Sequence, residues 1–239
     1  MTIVALCIEP GSVESDFPRG LSDQLGLRLC DLRRFEYDIA ERSDFGDGRL
    51  RSHGSRHGGA LAAWDLKGEQ LAARIREVVL EHVIDGDALI VGWSAASIVR
   101  GFDHIARVMV RAPLRFRQFT AMRQLAYREL GTAELEIDSA DSLIDRFIQR
   151  LFACDWRDPA NYDIVMDADR LPQRLQVDLF KALIKNERFL GAPGGQAQVE
   201  AALDMMRMHE DWSADISAGK GAALPAHPGA NRPRGRYLQ

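Results

Sequence analysis

A three-layer α/β domain, with helices on both faces of a parallel sheet, is the fold class this sequence predicts. Two observations predict it. Four apolar runs, at 3–8, 88–91, 108–110 and 164–166, have the unbroken character of strands buried on both faces, and 27–30 is a weaker fifth. Between them the apolar spacing turns helical, and strands alternating with helices imply right-handed crossovers and a doubly wound sheet.

The elements follow in order. The first strand leads into a turn at residues 9–20, after which Leu21 and Leu25 continue as a helix up to Gly26. Residues 43–60, rich in Gly, Ser, Arg and Asp, read as a mobile loop. Inside it His53 and His57 stand four apart, a spacing that suits a metal on a helix, but Gly54, Gly58 and Gly59 oppose a helix there. A solvated basic loop is the better reading. Leu71, Ile75, Val78, Val79 and His82 then follow helical spacing, with Glu69, Arg74, Arg76, Glu77 and Glu81 on the other face. Residues 142–152 are helical. Beyond the last strand, Leu175, Leu179, Phe180, Leu183 and Ile184 form another stripe behind Pro172, which suits a first-turn position. Residues 191–195 (Gly-Ala-Pro-Gly-Gly) stop that helix, and a short one from about 196 to 209 presents Val199, Leu203 and Met206 on one face. From Lys220 onward the chain carries Lys220, Arg232, Arg234 and Arg236 and no acidic residue, the composition of a disordered basic tail that folding does not need.

A chain of 239 residues buries one good core with room for a small appendage. Its 46% hydrophobic and 28% charged residues are those of an ordinary globular protein. A net charge of −4 gives no electrostatic reason to expect nucleic acid, and the tail's four cations make it a minor possibility only. No apolar run approaches the roughly 20 residues of a membrane span, and the N-terminus lacks signal-peptide features, so a cytosolic protein is expected. Three cysteines, Cys7, Cys30 and Cys154, form no paired spacing. They fit a reducing compartment, with Cys7 and Cys30 as buried structural thiols.

The turn after the first strand occupies the place where nucleotide kinases wrap phosphate in backbone N–H groups, with glycines for close approach and a cation for charge. Here it reads Glu9-Pro10-Gly11-Ser12-Val13-Glu14-Ser15-Asp16, without a G-x-x-x-x-G-K-[ST] pattern and with Glu14 and Asp16 where phosphate would sit. Taken alone, it reads as a structural turn.

Further stretches carry a resemblance. Residues 26–41, from Gly26 through Asp31 to Ile39-Ala40-Glu41, look like a second strand and a charged helix. Residues 87–100 end a third strand in Gly92-Trp93-Ser94-Ala95, and residues 107–114 end a fourth in Ala112-Pro113. Most specific is Asp155-Trp156-Arg157-Asp158-Pro159-Ala160-Asn161-Tyr162-Asp163, leading into the fifth strand. In this order and spacing, from about residue 3 to 185, they resemble the cytidylate kinase-like family. The resemblance implies a P-loop kinase-like fold with a five-stranded parallel sheet and a helical lid. It also implies ATP, Mg²⁺ and phosphoryl transfer to a CMP-like nucleoside monophosphate. It places a nucleotide kinase-like domain at 1–190, with a lid at about 115–158, and a C-terminal helix and tail at 191–239.

The resemblance also assigns candidate roles. Gly11, Ser12 and Ser15 become phosphate-loop residues, and Arg146 and Arg150, four apart on one helix, the lid's clamp on the transferred phosphoryl. From spacing alone a solvated face paired with Asp145 and its neighbours is the better reading of these two arginines, and the resemblance brings the two readings level. Asp31 either holds the acceptor nucleotide or metal-bound water, or caps a helix. Arg34, Arg100, Arg117 and Arg123 are candidate phosphate contacts or surface residues, and Trp93 either stacks on a base or packs in the core. The departures lie in the loop. Where the family has Gly-Ser-Gly-Gly-Arg-Glu this chain has Gly11-Ser12-Val13-Glu14-Ser15-Asp16, and Trp93 replaces an arginine of the third-strand turn. Two readings therefore compete: a kinase, active or weakly so, and a non-catalytic relative binding a nucleotide, another anion or a protein.

Overall fold

A computed structural model describes residues 1–31, 34, 35, 38, 68–125, 130–190 and 194–217. The sheet has the order β2-β3-β1-β4-β5, with every pair parallel. Its strands are β1 (Ile3–Ile8), β2 (Arg28–Cys30), β3 (Ala88–Val91), β4 (Ala106–Arg111) and β5 (Ile164–Asp167). The expected fold is therefore observed, a three-layer α/β domain with a five-stranded parallel sheet and β1 central. The centre falls to β1 because its side chains are apolar on both faces. Val4 and Leu6 join Phe17, Leu21, Val108, Val177 and Phe180 in one core, whereas Cys7 joins Met109, Ile144, Ile148 and Trp156 in the other.

Helix α1 (Phe17–Leu25) runs from the β1 turn to Gly26, which takes the left-handed conformation (φ 66°) that ends helices. Helix α2 (Gly68–Ile84) buries Leu71, Ile75, Val78, Val79 and His82 as the spacing predicts, but Glu77, expected on the outer face, is buried beside Arg74. The short helix α3 (Ala95–Ile98) follows β3. Helices α4 (Leu114–Leu125) and α5 (Leu130–Phe152) lie within the range expected for the lid. Helix α6 (Gln173–Leu183) starts one residue beyond Pro172 and corrects the predicted stripe: Gln176, Val177 and Phe180 face the core, whereas Leu175 and Leu179 are 44% and 37% exposed. Val177 and Phe180 win the inner face because both lie in the β1 core cluster.

Two compact units are distinguished, residues 1–203 and residues 204–239. Helix α7 (Gly195–Ser217) starts where expected and extends beyond residue 209. Among the described residues no helix is long and apolar enough to cross a membrane. The 43–60 loop with His53 and His57, and the tail from Lys220, lie outside the described residues.

Candidate functional site

The turn after β1 sits at the carboxyl edge of the sheet, where open α/β sheets bind ligands. Gly11 adopts φ +78°, and a Cβ there would lie 2.7 Å from the Arg117 carbonyl oxygen and 2.9 Å from Ile137 Cδ1. A glycine is thus required both by its backbone and by its neighbours. Those neighbours belong to α4 and α5, so both helices press directly on the turn. The crevice left among Pro10, Gly11, Ala121, Gln124, Ile137 and Ala140 holds about 10 Å³, room for one water at most.

Charge fills the same place. Glu9, at the end of β1 and 7% exposed, accepts from Arg157 Nε at 3.1 Å and from the Ala112 N–H at 3.3 Å, with Arg117 Nε 3.9 Å away. Arg117, also 7% exposed, grips Asp141 through both terminal nitrogens (3.0 and 2.9 Å) and reaches the Pro10 carbonyl at 3.4 Å. Arg157 lies 3.2 Å from Asp141 and also pairs with Asp145. Burial works against the Arg157 charge, but Asp141 and Asp145 outweigh it and hold the guanidinium more firmly protonated than usual. A second patch ties α4 to the loop. Glu14 pairs with Arg123 and accepts from Gln124 Nε2 at 2.9 Å, and the same nitrogen donates to the Val13 carbonyl at 2.9 Å.

The segment before β5 explains how Arg157 arrives there. The Trp156 indole, 1% exposed, donates to Asp145 Oδ1 at 2.7 Å and stacks under the Arg157 guanidinium at 4.1 Å. Tyr162 donates its hydroxyl to the Trp156 carbonyl, Asp158 caps the following 3₁₀ turn, and Asp163 accepts three bonds from Arg107. These bonds fix Arg157 against the end of β1.

The predicted site residues separate into groups. Gly11, Ser12, Arg117 and Arg123 come together at the loop, with Arg117 and Arg123 already neutralised by Asp141 and Glu14. Ser12 is 1% exposed and its Oγ has no partner, whereas Ser15 is exposed. Asp31 directly follows β2, two strands from β1, and accepts from the Arg34 N–H at 3.1 Å, a helix-capping bond. Arg34 pairs with Asp38 at 3.0 Å. Arg100, Arg146 and Arg150 are exposed and make no ion pair among the described residues. Asp145, a suggested partner of the last two, is engaged by Arg157 and Trp156 instead. Trp93 belongs to the core side and donates to the Ile8 carbonyl at 3.1 Å. Cys7 is fully buried, and burial pushes its thiol up to about 12, so it is no nucleophile. Among the described residues no group of three or more His, Cys, Asp or Glu side chains is placed to hold a metal ion.

Sequence reasoning missed Glu9, Asp141, Asp145 and Arg157. Only Arg157 carried a signal, through its place in the 155–163 stretch. The aspartates sit four apart on α5, but nothing in one sequence says that they meet Arg117 and Arg157.

A family model described as the cytidylate kinase-like family matches residues 3–170. No curated protein sequence matches the chain. Among solved structures, an uncharacterized protein from Eubacterium ventriosum shares the fold at 15% identity, with 77% of this chain and 98% of that one covered and a TM-score of 0.58. A shikimate kinase from Acinetobacter baumannii in complex with shikimate aligns at 14% identity over 77% and 93%, with a TM-score of 0.43.

Proposed function

The chain belongs to the cytidylate kinase-like family, and from that premise we propose that it is a nucleotide-binding relative of nucleoside monophosphate kinases that has lost phosphoryl transfer from ATP to a CMP-like acceptor. One observation carries the reading: the arginines beside the turn, Arg117, Arg123 and Arg157, are already paired with carboxylates of this chain. Phosphoryl transfer depends on cations and backbone donors aimed at the transferred group. Here α4 and α5 crowd Gly11 and leave room for one water at most beside the turn, and Glu14 stands on the loop itself. Like charges about 4 Å apart cost on the order of 4 kcal/mol at a surface-like dielectric, about a thousandfold in affinity. The ATP and Mg²⁺ that family membership implies therefore do not fit this loop as built.

Nucleotide binding is assigned to the acceptor side, with Asp31 and Arg34 behind β2 and Arg100 behind β3 as its candidates. Calorimetry with Mg·ATP and with CMP, beside a phosphoryl-transfer assay, tests the reading. Mg·ATP binding in the millimolar range or weaker, with no CDP formed, is expected. Micromolar Mg·ATP binding with turnover overturns it.

A second reading, a working kinase with an unfamiliar loop, is favoured by one specific observation. Ser12 Oγ and Arg117 Nε are buried beside the turn without hydrogen-bond partners, and a phosphate oxygen would satisfy both. Arg146 and Arg150 would then be its lid arginines. The same transfer assay separates the two.

A further inference from the structure

The inference deepens the reading above and rests on it, because it concerns what holds the loop against phosphate. Three carboxylates, Glu9, Asp141 and Asp145, face two guanidiniums, Arg117 and Arg157. The cluster thus has one negative charge in excess, although both cations lie beside a turn of phosphate-binding position. Glu9 also accepts the Ala112 backbone N–H and so belongs to the end of the sheet. Asp141 and Asp145 come from α5, one turn apart, and are separable from the sheet.

Their geometry is that of a ligand. Asp141 takes the two-pronged fork of Arg117 at 3.0 and 2.9 Å, the same planar face that a guanidinium offers a phosphate. Arg157 is held flat on Trp156 at 4.1 Å, so its direction persists whichever anion it meets. The unpaired Arg117 Nε and Ser12 Oγ lie at the same turn, buried donors that no carboxylate reaches within hydrogen-bond distance.

We propose that Asp141 and Asp145 are built-in phosphate substitutes, and that removing their charge converts the Arg117–Arg157 cluster into a binding site for a pyrophosphate-sized oxyanion. Neutralising both aspartates turns the local excess from one negative charge to one positive. An anion arriving from the solvent side of Arg157 then competes for the two guanidiniums with neutral carboxamides instead of carboxylates. On this proposal, repairing the loop by itself does not open the site. Replacing Val13→Gly, Glu14→Gly and Ser15→Arg leaves Arg117 and Arg157 occupied.

The test is calorimetry with inorganic pyrophosphate, free of metal and at low salt, on the full chain. The unmodified protein is expected to show no saturable binding, and the Asp141→Asn, Asp145→Asn protein binding at least tenfold tighter that weakens with added salt. Adding Arg157→Gln to that variant should abolish the gain, which locates it. If the double variant does not fold, the single Asp145→Asn change, at a half-exposed position where asparagine still accepts the Trp156 N–H, should give a gain of about threefold. Equal pyrophosphate affinity before and after charge removal in the variant that folds, or a gain that survives Arg157→Gln, overturns the proposal. Mg·ATP turnover by the unmodified protein would defeat the loss of transfer instead, and would leave this comparison of pyrophosphate affinities to be read by itself.

Discussion

Residues 9–16 and 155–163 carry opposite relations between pattern and chemistry. The later stretch keeps the family-like pattern, and its side chains serve the fold: Trp156 fills the core, Asp158 caps a turn, Tyr162 bonds back to Trp156 and Asp163 fastens to Arg107. The earlier stretch departs from the pattern at Val13, Glu14 and Ser15, and there the Val13 carbonyl and the Glu14 side chain are bonded to α4 while Ser15 is exposed. The two regions meet through one contact, Arg157 on Glu9. What the difference teaches is that a residue holding up a sheet and a residue holding a phosphate are constrained separately. The second set can vary while the first still specifies the fold.

The comparison breaks most readily at Trp156. Trp156→Ala removes a fully buried indole and should destabilise by about 3–5 kcal/mol, read as a lower denaturation midpoint. A loss below 1 kcal/mol would mean that the 155–163 stretch does not support the core. Gly11→Ala comes next. It combines roughly 1–2 kcal/mol of left-handed strain with about 1–3 kcal/mol of overpacking against Arg117 and Ile137. A neutral result would show that α4 and α5 stand clear of the turn. Glu9→Gln weakens the charged bond to Arg157 and should cost about 1.5–3 kcal/mol in a urea titration. A stable variant would uncouple the two regions.

A gentler effect involves pH. His104 is buried with Nε2 unpaired, and its ring lies under Gly195, where an added Cβ would come within 2.8 Å of it. Burial lowers its pKa below the ordinary 6.5, only partly opposed by the Asp103 charge. A neutral imidazole favoured by folding contributes stability above pH 6.5, which is lost as pH falls toward the lowered value. Melting temperatures from pH 7.5 to 5 should therefore drop more steeply in the unmodified protein than in His104→Gln. Smallest of all is Glu14→Gln, which weakens an exposed pair with Arg123 and should change stability by about 0.5 kcal/mol or less. A larger loss would make that surface pair part of what anchors α4 to the turn.

Much of the fold was legible because burial writes itself into strands. The run 3–8 is apolar at every position through Ile8, and only a central parallel strand asks for that. The turn's departure from the family-like pattern is legible too, since Val13, Glu14 and Ser15 differ in size and charge from two glycines and an arginine. The site's actual occupants were not. Asp141 and Asp145 read as surface carboxylates on a charged helix, and their inward role depends on how α5 packs over α4. Leu175 and Leu179 failed for the same reason: a helix with apolar residues nearly all round does not announce which of them meets the sheet.

The three thiols record the depth of the sheet in chemical terms. Cys154 is half-buried beside Ser97, 3.2 Å from its hydroxyl, whereas Cys30 is fully buried on the outer strand β2 and Cys7 lies within central β1. A membrane-permeant alkylating reagent meets them in that order. Cys154 should react while the protein is intact, Cys30 when the β2 edge frays, and Cys7 only when the strands around β1 part. Mass spectra taken along an alkylation time course would then time the opening of each layer from the protein's own sulfur atoms, with no label introduced.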